Sequence, residues 1–282
     1  MMDSAPGVLR VACVQLNTRD DVAANVESAV ALIGEAADAG AQLVALPETW
    51  TFKGRPDGML AAAQAPDGPA NTAAAAAASR RGMWLLAGSI YEPAPDARRV
   101  YNTSALFGPD GGLRAVYRKV HLFDAVSDGT VYRESDEVVA GDEAVTALVS
   151  APGAAPLTAG LTICYDLRFP ELYRALALLG ARLLLVPSAF TAYTGAAHWE
   201  LLLRARAVEN GCFVVAPNQV GEHLPGRSCF GHSMIVDPWG DVLAERDGGV
   251  GLCVADLDLA RVDEVRARVP SLRNRRPDAY GL

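Results

Sequence analysis

Twice along its 282 residues, this chain alternates short β-branched apolar runs with longer stretches whose apolar residues recur at helical spacing. Such alternation admits few layouts other than sheets covered by helices. The run 8–16, broken only by Arg10, reads as a buried strand. From Asp21 onward Val22, Val26, Ala29, Val30, Ile33 and Ala37 keep one helical face, and Gly40 supplies the stop. A second strand, 42–46, ends at Pro47-Glu48. The alanine-rich stretch 70–81 reads as a helix closed by Gly82, and 84–90 as a return to strand. Segments 102–107 and 113–120 flank Pro109-Asp110-Gly111-Gly112, which is hairpin chemistry. The second half repeats the plan: strand 161–163, helix 171–179, strand 183–186, helix 197–210 and strand 213–216. A hairpin around Asp237-Pro238-Trp239-Gly240 and a strand at 251–257 complete it. The expectation is an α/β fold with two sheets sandwiched between helices, one domain over 1–282, with segment 259–282 docked on the domain or on a dimer partner.

Composition removes several function classes. A net charge of −8 is unsuited to a general nucleic-acid surface. The one dense basic cluster, Arg273, Arg275 and Arg276, lies between Pro270 and Pro277 and reads as a C-terminal segment docked by salt bridges. Five cysteines without CxxC spacing fit a reducing compartment, with the cytoplasm as default. Residues 1–16 lack the pattern of a signal peptide, so the Asn102-Thr103-Ser104 sequon carries no meaning. The longest uncharged stretch, 144–165, contains Pro152, Gly153, Pro156 and Gly160 and cannot be one spanning helix, so no membrane partner is expected. His121, His198, His223 and His232 are scattered without HExxH spacing, which gives no metal site. GxSxG is absent, and Gly249-Val250-Gly251 lacks the third glycine of a dinucleotide loop.

Three residues stand where chemistry is done. Cys164 lies between a buried strand and the start of a helix, where backbone N–H groups and the helix dipole favour a thiolate; the alternative is an inert buried thiol. Cys13, Cys212 and Cys253 sit inside apolar patterns and read as core, while Cys229 reads as an exposed loop thiol. Glu48 and Lys119 each end a strand, and each taken singly could be a solvated surface charge. Together they form a set, because amide hydrolysis needs a nucleophile, a proton carrier and a cation for the tetrahedral oxyanion.

Leu46-Pro47-Glu48, the run from Tyr117 to Asp124 around Lys119, and the run from Gly160 to Glu171 around Cys164 resemble, in order, the three catalytic motifs of the nitrilase superfamily of carbon-nitrogen hydrolases. The resemblance covers nearly the whole chain. It implies a four-layer αββα sandwich, no metal or organic cofactor, and homodimerisation through helices beside the active site. It makes Glu48 the general base, Lys119 the oxyanion stabiliser with the Tyr165 backbone N–H, and Cys164 the nucleophile that forms a thioester. Glu134 matches the family's additional glutamate. The stretches Ser188 to Phe190, Thr194 to Glu200 and Gly231 to Gly240 resemble the amidase branch, and loop 220–227 is similar to its deaminated-glutathione-type members. Tyr165-Asp166 stands where true nitrilases usually carry Trp-Glu, which favours an amide over a nitrile. Arg168 and Thr194 are expected to hold a substrate carboxylate, with an ion pair from Arg168 to Asp166 or Glu171 as the structural alternative. The expected product pair is a carboxylic acid and ammonia. The rival readings are a nitrilase or N-carbamoyl amidase of the same superfamily, or a binding protein retaining the fold.

Overall fold

A computed structural model describes residues 7–96, 98–150, 152–153 and 155–280. Two mixed sheets form its centre. In the first, Val8–Gln15, Leu43–Ala45 and Trp84–Leu86 run parallel, and Gly251–Asp258 closes one edge antiparallel to Val8–Gln15. On the other side Val100–Phe107 pairs antiparallel with Trp84–Leu86, Ile90–Pro93 and Leu113–Arg118. In the second sheet Leu157–Leu161, Ala181–Leu185 and Phe213–Ala216 run parallel. Thr146–Val149 borders one edge, and the hairpin Ser233–Val236 with Val242–Arg246 the other.

Strand side chains point alternately to opposite faces. Val11, Cys13, Leu43 and Ala45 therefore enter one core with Leu161, Leu183 and Ile235 of the second sheet. Their neighbours Ala12, Val14 and Val44 pack instead on Ala29, Ile33, Ala74 and Ala78 from the helices Val22–Asp38 and Pro69–Ser79. Beyond the second sheet, Pro170–Leu178 and Ala192–Asn210 contribute Leu172, Leu176, Leu203 and Ala207. The order helix, sheet, sheet, helix explains why the central strands are apolar throughout: both faces are buried.

Some boundaries differ from expectation for identifiable reasons. The strand expected over 84–90 breaks into Trp84–Leu86 and Ile90–Pro93, because Gly88 adopts φ 46° between them. The helix expected from residue 197 begins at Ala192, where the Thr191 hydroxyl accepts a hydrogen bond from the Thr194 N–H at 3.4 Å. Two hairpins, Asp124–Ser127 with Thr130–Arg133 and Val220–Leu224 with Arg227–Phe230, lack an apolar alternation that would mark them, since they frame a cavity and cover little core.

In the C-terminal segment Leu259, Val262 and Val265 are buried. Its salt bridges to the body come from Asp263 to Arg182 (2.7 Å) and Arg261 to Asp237 (3.2 Å). Among the described residues none comes from the arginine cluster: Arg276 closes locally on Asp278 at 2.7 Å. Among the described residues no helix is long and apolar enough to cross a membrane.

Candidate active site

Glu48 and Cys164 lie just past the carboxyl ends of parallel strands from different sheets, Leu43–Ala45 and Leu157–Leu161. Lys119 follows the last residue of Leu113–Arg118, and its N–H donates to the Asn102 carbonyl at 2.9 Å. Glu134 opens the 3₁₀ turn Glu134–Asp136. The four meet at one cavity of about 410 Å³. Lys119 Nζ donates to Glu48 Oε1 at 2.9 Å and to Glu134 Oε1 and Oε2 at 3.0 and 2.9 Å. Asn102 Nδ2 donates to Glu48 Oε1 at 2.9 Å, and the Phe123 N–H to Glu134 Oε2 at 2.6 Å.

Two carboxyl groups and one ammonium share this pocket, and burial competes with their mutual attraction. Burial alone would raise the Glu48 carboxyl, but Lys119 and Lys53 overcome it and hold Glu48 below its usual value. Burial likewise works against the Lys119 ammonium, yet Glu134 and Glu48 outweigh it and hold it firmly charged. Burial first, and the Glu48 charge second, push the Cys164 thiol well above its ordinary value, against Lys119 and the Ala189 N–H. The sequence-based expectation of a preformed thiolate is therefore reversed: the resting pair is a neutral thiol beside an ionised carboxylate, because burial and the nearby carboxylate outweigh Lys119 and the backbone N–H.

Cys164 sits on a strained elbow. Cys164 has φ 47°, a left-handed conformation that costs a residue with a side chain about 1–3 kcal/mol. Its own N–H donates to the Pro187 carbonyl at 2.9 Å. Buried Asp166 fixes the elbow to the Lys119 strand: its carboxylate accepts from Tyr117 Oη (2.6 Å), the His121 N–H (3.0 Å) and the Ile163 N–H (2.8 Å), and contacts His121 Nδ1 at 2.7 Å. Arg206 reaches in from Ala192–Asn210 to donate twice to the Leu167 carbonyl, at 3.0 and 2.7 Å.

The Glu48 turn is supported from below. Gln219 Nε2 donates to the Glu48 carbonyl at 2.9 Å, and the Thr49 N–H donates to Ser89 Oγ at 3.0 Å. A Cβ on Gly88 would lie 2.0 Å from the Pro47 carbonyl oxygen. Gly88→Ala is therefore expected to cost about 2 kcal/mol or more in urea unfolding and to lower kcat by displacing Glu48. Wild-type stability together with wild-type kcat would show that the contact is unimportant.

Arg168, Thr194 and Phe190 line the same cavity. Arg168 pairs with neither Asp166 nor Glu171 among the described residues. It lies 3.3 Å from His198 Nδ1, with its guanidinium carbon 5.8 Å from the Tyr165 ring and 5.4 Å from the Phe190 ring. Thr194 Oγ1 is 2.8 Å from Thr191 Oγ1. Cys229, expected to be exposed, is buried and lines the cavity wall. Asn102, Gln219 and Gly88 escaped the sequence reading, for a buried polar residue inside a strand pattern gives no signal of what it will meet.

The carbon-nitrogen hydrolase family model matches residues 10–267. A deaminated glutathione amidase from Synechocystis is 43% identical over 266 residues, 94% of this chain and 97% of the relative. The human omega-amidase is 38% identical over 274 residues, 97% of each chain. The crystal structure of the C. elegans NitFhit protein superposes with a TM-score of 0.89 at 40% identity, covering 98% of this chain and 67% of that one. With its stacked sheets and with relatives named as amidases, the chain belongs to the carbon-nitrogen hydrolase family, within the nitrilase superfamily.

Proposed function

We propose that this protein hydrolyses a small linear amide whose acyl half carries a carboxylate, through a Cys164 thioester. The observation that carries the reading is the convergence of Glu48, Lys119 and Cys164 on one cavity, with an ionised Glu48 beside a neutral thiol. As Cys164 Sγ bonds to the amide carbon, Glu48 takes the thiol proton. Of the three N–H bonds of Lys119, two are directed at Glu48 and Glu134; the third, with the Tyr165 N–H, receives the oxyanion. Glu48 then gives the proton to the amide nitrogen, the carbon-nitrogen bond breaks, and ammonia or an amine leaves. Water, deprotonated by Glu48, cleaves the thioester; the acid departs and the thiol regains its proton. Glu134 positions Lys119 and balances its charge. This chain takes amides in preference to nitriles, a reading supported by relatives named deaminated glutathione amidase and omega-amidase.

Arg168 and Thr194 hold the acyl carboxylate. Arg168→Ala is expected to raise KM for amides of dicarboxylic acids by about tenfold or more, the value of one charge-assisted contact, with little effect on neutral amides. Equal changes in both series would remove the clamp. We further take the chain as one catalytic domain of the cytoplasm, with 259–282 folded back on it, acting as a homodimer. Exposed Leu201, Val208 and Trp239, beside the outer face of Ala192–Asn210, supply an apolar surface for that pairing.

A further inference from the structure

Tyr91 is the second residue of the strand Ile90–Pro93, and in the antiparallel register it stands directly opposite Asn102. Directly opposed residues send their side chains to the same face of a sheet. Asn102 uses that face to reach Glu48, donating from Nδ2 to Oε1 at 2.9 Å, so the Tyr91 phenol is delivered beside the same carboxylate. The Phe52 ring meets Tyr91 edge-on with 6.4 Å between centres, and Tyr91 lines the cavity. Neither the attack of Cys164 nor the oxyanion contacts use this hydroxyl.

The phenol is open to a small ligand. Among the described residues Tyr91 Oη makes no hydrogen bond, and it is not sealed off without a partner as Asn102 Oδ1 is. A polar oxygen that is neither paired nor sealed faces open space, and here that space is the cavity. The hydroxyl next to Glu48 in the chain, Thr49 Oγ1, is already engaged, donating to the Glu48 carbonyl at 2.8 Å. Burial first, and then the charges of Glu134 and Glu48, push the Tyr91 phenol up, so it is neutral at any ordinary pH. The same two carboxylates draw its proton toward themselves and leave the oxygen lone pairs for a donor in the cavity.

Around the reacting carbon, Cys164 Sγ, the oxyanion donors and the acyl side at Arg168 take three directions. The remaining side, at Glu48, is where the amine departs and where water enters to cleave the thioester. We propose that Tyr91 is a further catalytic residue that orients the hydrolytic water, its Oη accepting one hydrogen of that water while Glu48 takes the other as a proton. This deepens the function proposed above and rests on its thioester route. Held by both hydrogens, the water directs a lone pair at the thioester carbon. The oxygen–carbon bond forms, the carbon–sulfur bond breaks, and Glu48 passes its proton to Cys164 Sγ; Tyr91 keeps its own proton throughout. Acylation does not need this contact, because Cys164 is then the nucleophile and gives its proton to Glu48 directly.

Tyr91→Phe, with succinamate as substrate, separates the two half-reactions. Decay of the Cys164 acyl-enzyme, followed by rapid quenching and intact mass, is expected to slow by about tenfold or more, the value of one lost contact to the reacting water. Ammonia release in the first turnover and kcat/KM should stay within about twofold of wild type. Deacylation then limits turnover, so kcat and KM fall together and the acyl-enzyme accumulates. Damage to folding or to the Glu48–Lys119 pair behaves otherwise, lowering kcat/KM along with kcat. A decay rate equal to wild type, or a kcat/KM that falls as far as the decay rate, overturns the assignment. If the wild type releases ammonia from succinamate and no acyl adduct forms on Cys164, the thioester route itself fails, and the role of Tyr91 falls with it.

Discussion

Cys164→Ala is expected to reduce amide turnover by at least about 10⁴-fold while leaving the thermal midpoint close to wild type, because no other group can form the acyl intermediate. Cys229 also lines the cavity, but burial raises its thiol, and it meets the Ala189 carbonyl and His223 at 3.8 Å without touching the Glu48–Lys119 pair. It cannot substitute. Stability should survive because alanine tolerates φ 47° no worse than cysteine, and Glu48 keeps its larger stabilising partners, Lys119 and Lys53, when the hydrogen bond from Cys164 is lost. Intact-mass measurement after mixing with substrate completes the test: wild type should accumulate an acyl adduct that Cys164→Ala lacks. An adduct elsewhere, or retained turnover, would assign the chemistry to another residue. The reversed protonation of the resting pair adds a condition, since the thiol should be alkylated slowly by iodoacetamide at neutral pH and faster as pH rises.

The second large effect concerns stability as well as rate. Lys119→Met strands the buried Glu48 carboxylate and the partly buried Glu134 carboxylate, and breaking a buried ion pair by removing one partner costs about 3–5 kcal/mol. In wild type Glu48 is held below its usual value, so its contribution is present above the unfolded carboxyl range and is lost as pH falls through the depressed value. Without Lys119 the largest remaining influence is burial, which raises the carboxyl. The sign then inverts, and stability declines as pH climbs above about 4.3 toward the raised folded value. Urea denaturation should accordingly show a larger deficit at pH 8 than at pH 5. Adding Glu134→Gln should recover part of it by removing one of the two stranded charges. A deficit under about 1 kcal/mol, equal at both pH values, would mean that the carboxylates are solvated and the cluster is not a buried ion triad.

Cys164, Glu48 and Lys119 could be picked out from the chain because each sits where an apolar strand pattern ends in a polar residue, and because the runs around them resemble a known set of motifs. The sheet cores were legible for a related reason: strands buried on both faces are written as unbroken apolar runs. Asp166 shows the opposite case. In the sequence it reads as a partner for Arg168, two residues away, whereas the fold presents it with Tyr117, His121 and the Ile163 N–H, and these satisfy it completely. The hairpin 220–230 was visible only as a loop, since its polar residues answer to a cavity and not to a core.

What the sequence by itself determined is the set of reactive groups and the layering, because hydrophobic periodicity and residue chemistry are local properties. Only the tertiary structure decided how those groups are charged and what surrounds them. Whether Cys164 rests as thiol or thiolate depends on its burial and on a carboxylate delivered from another sheet. Electrostatic energy is set by distance and burial, and neither is written in the order of the residues.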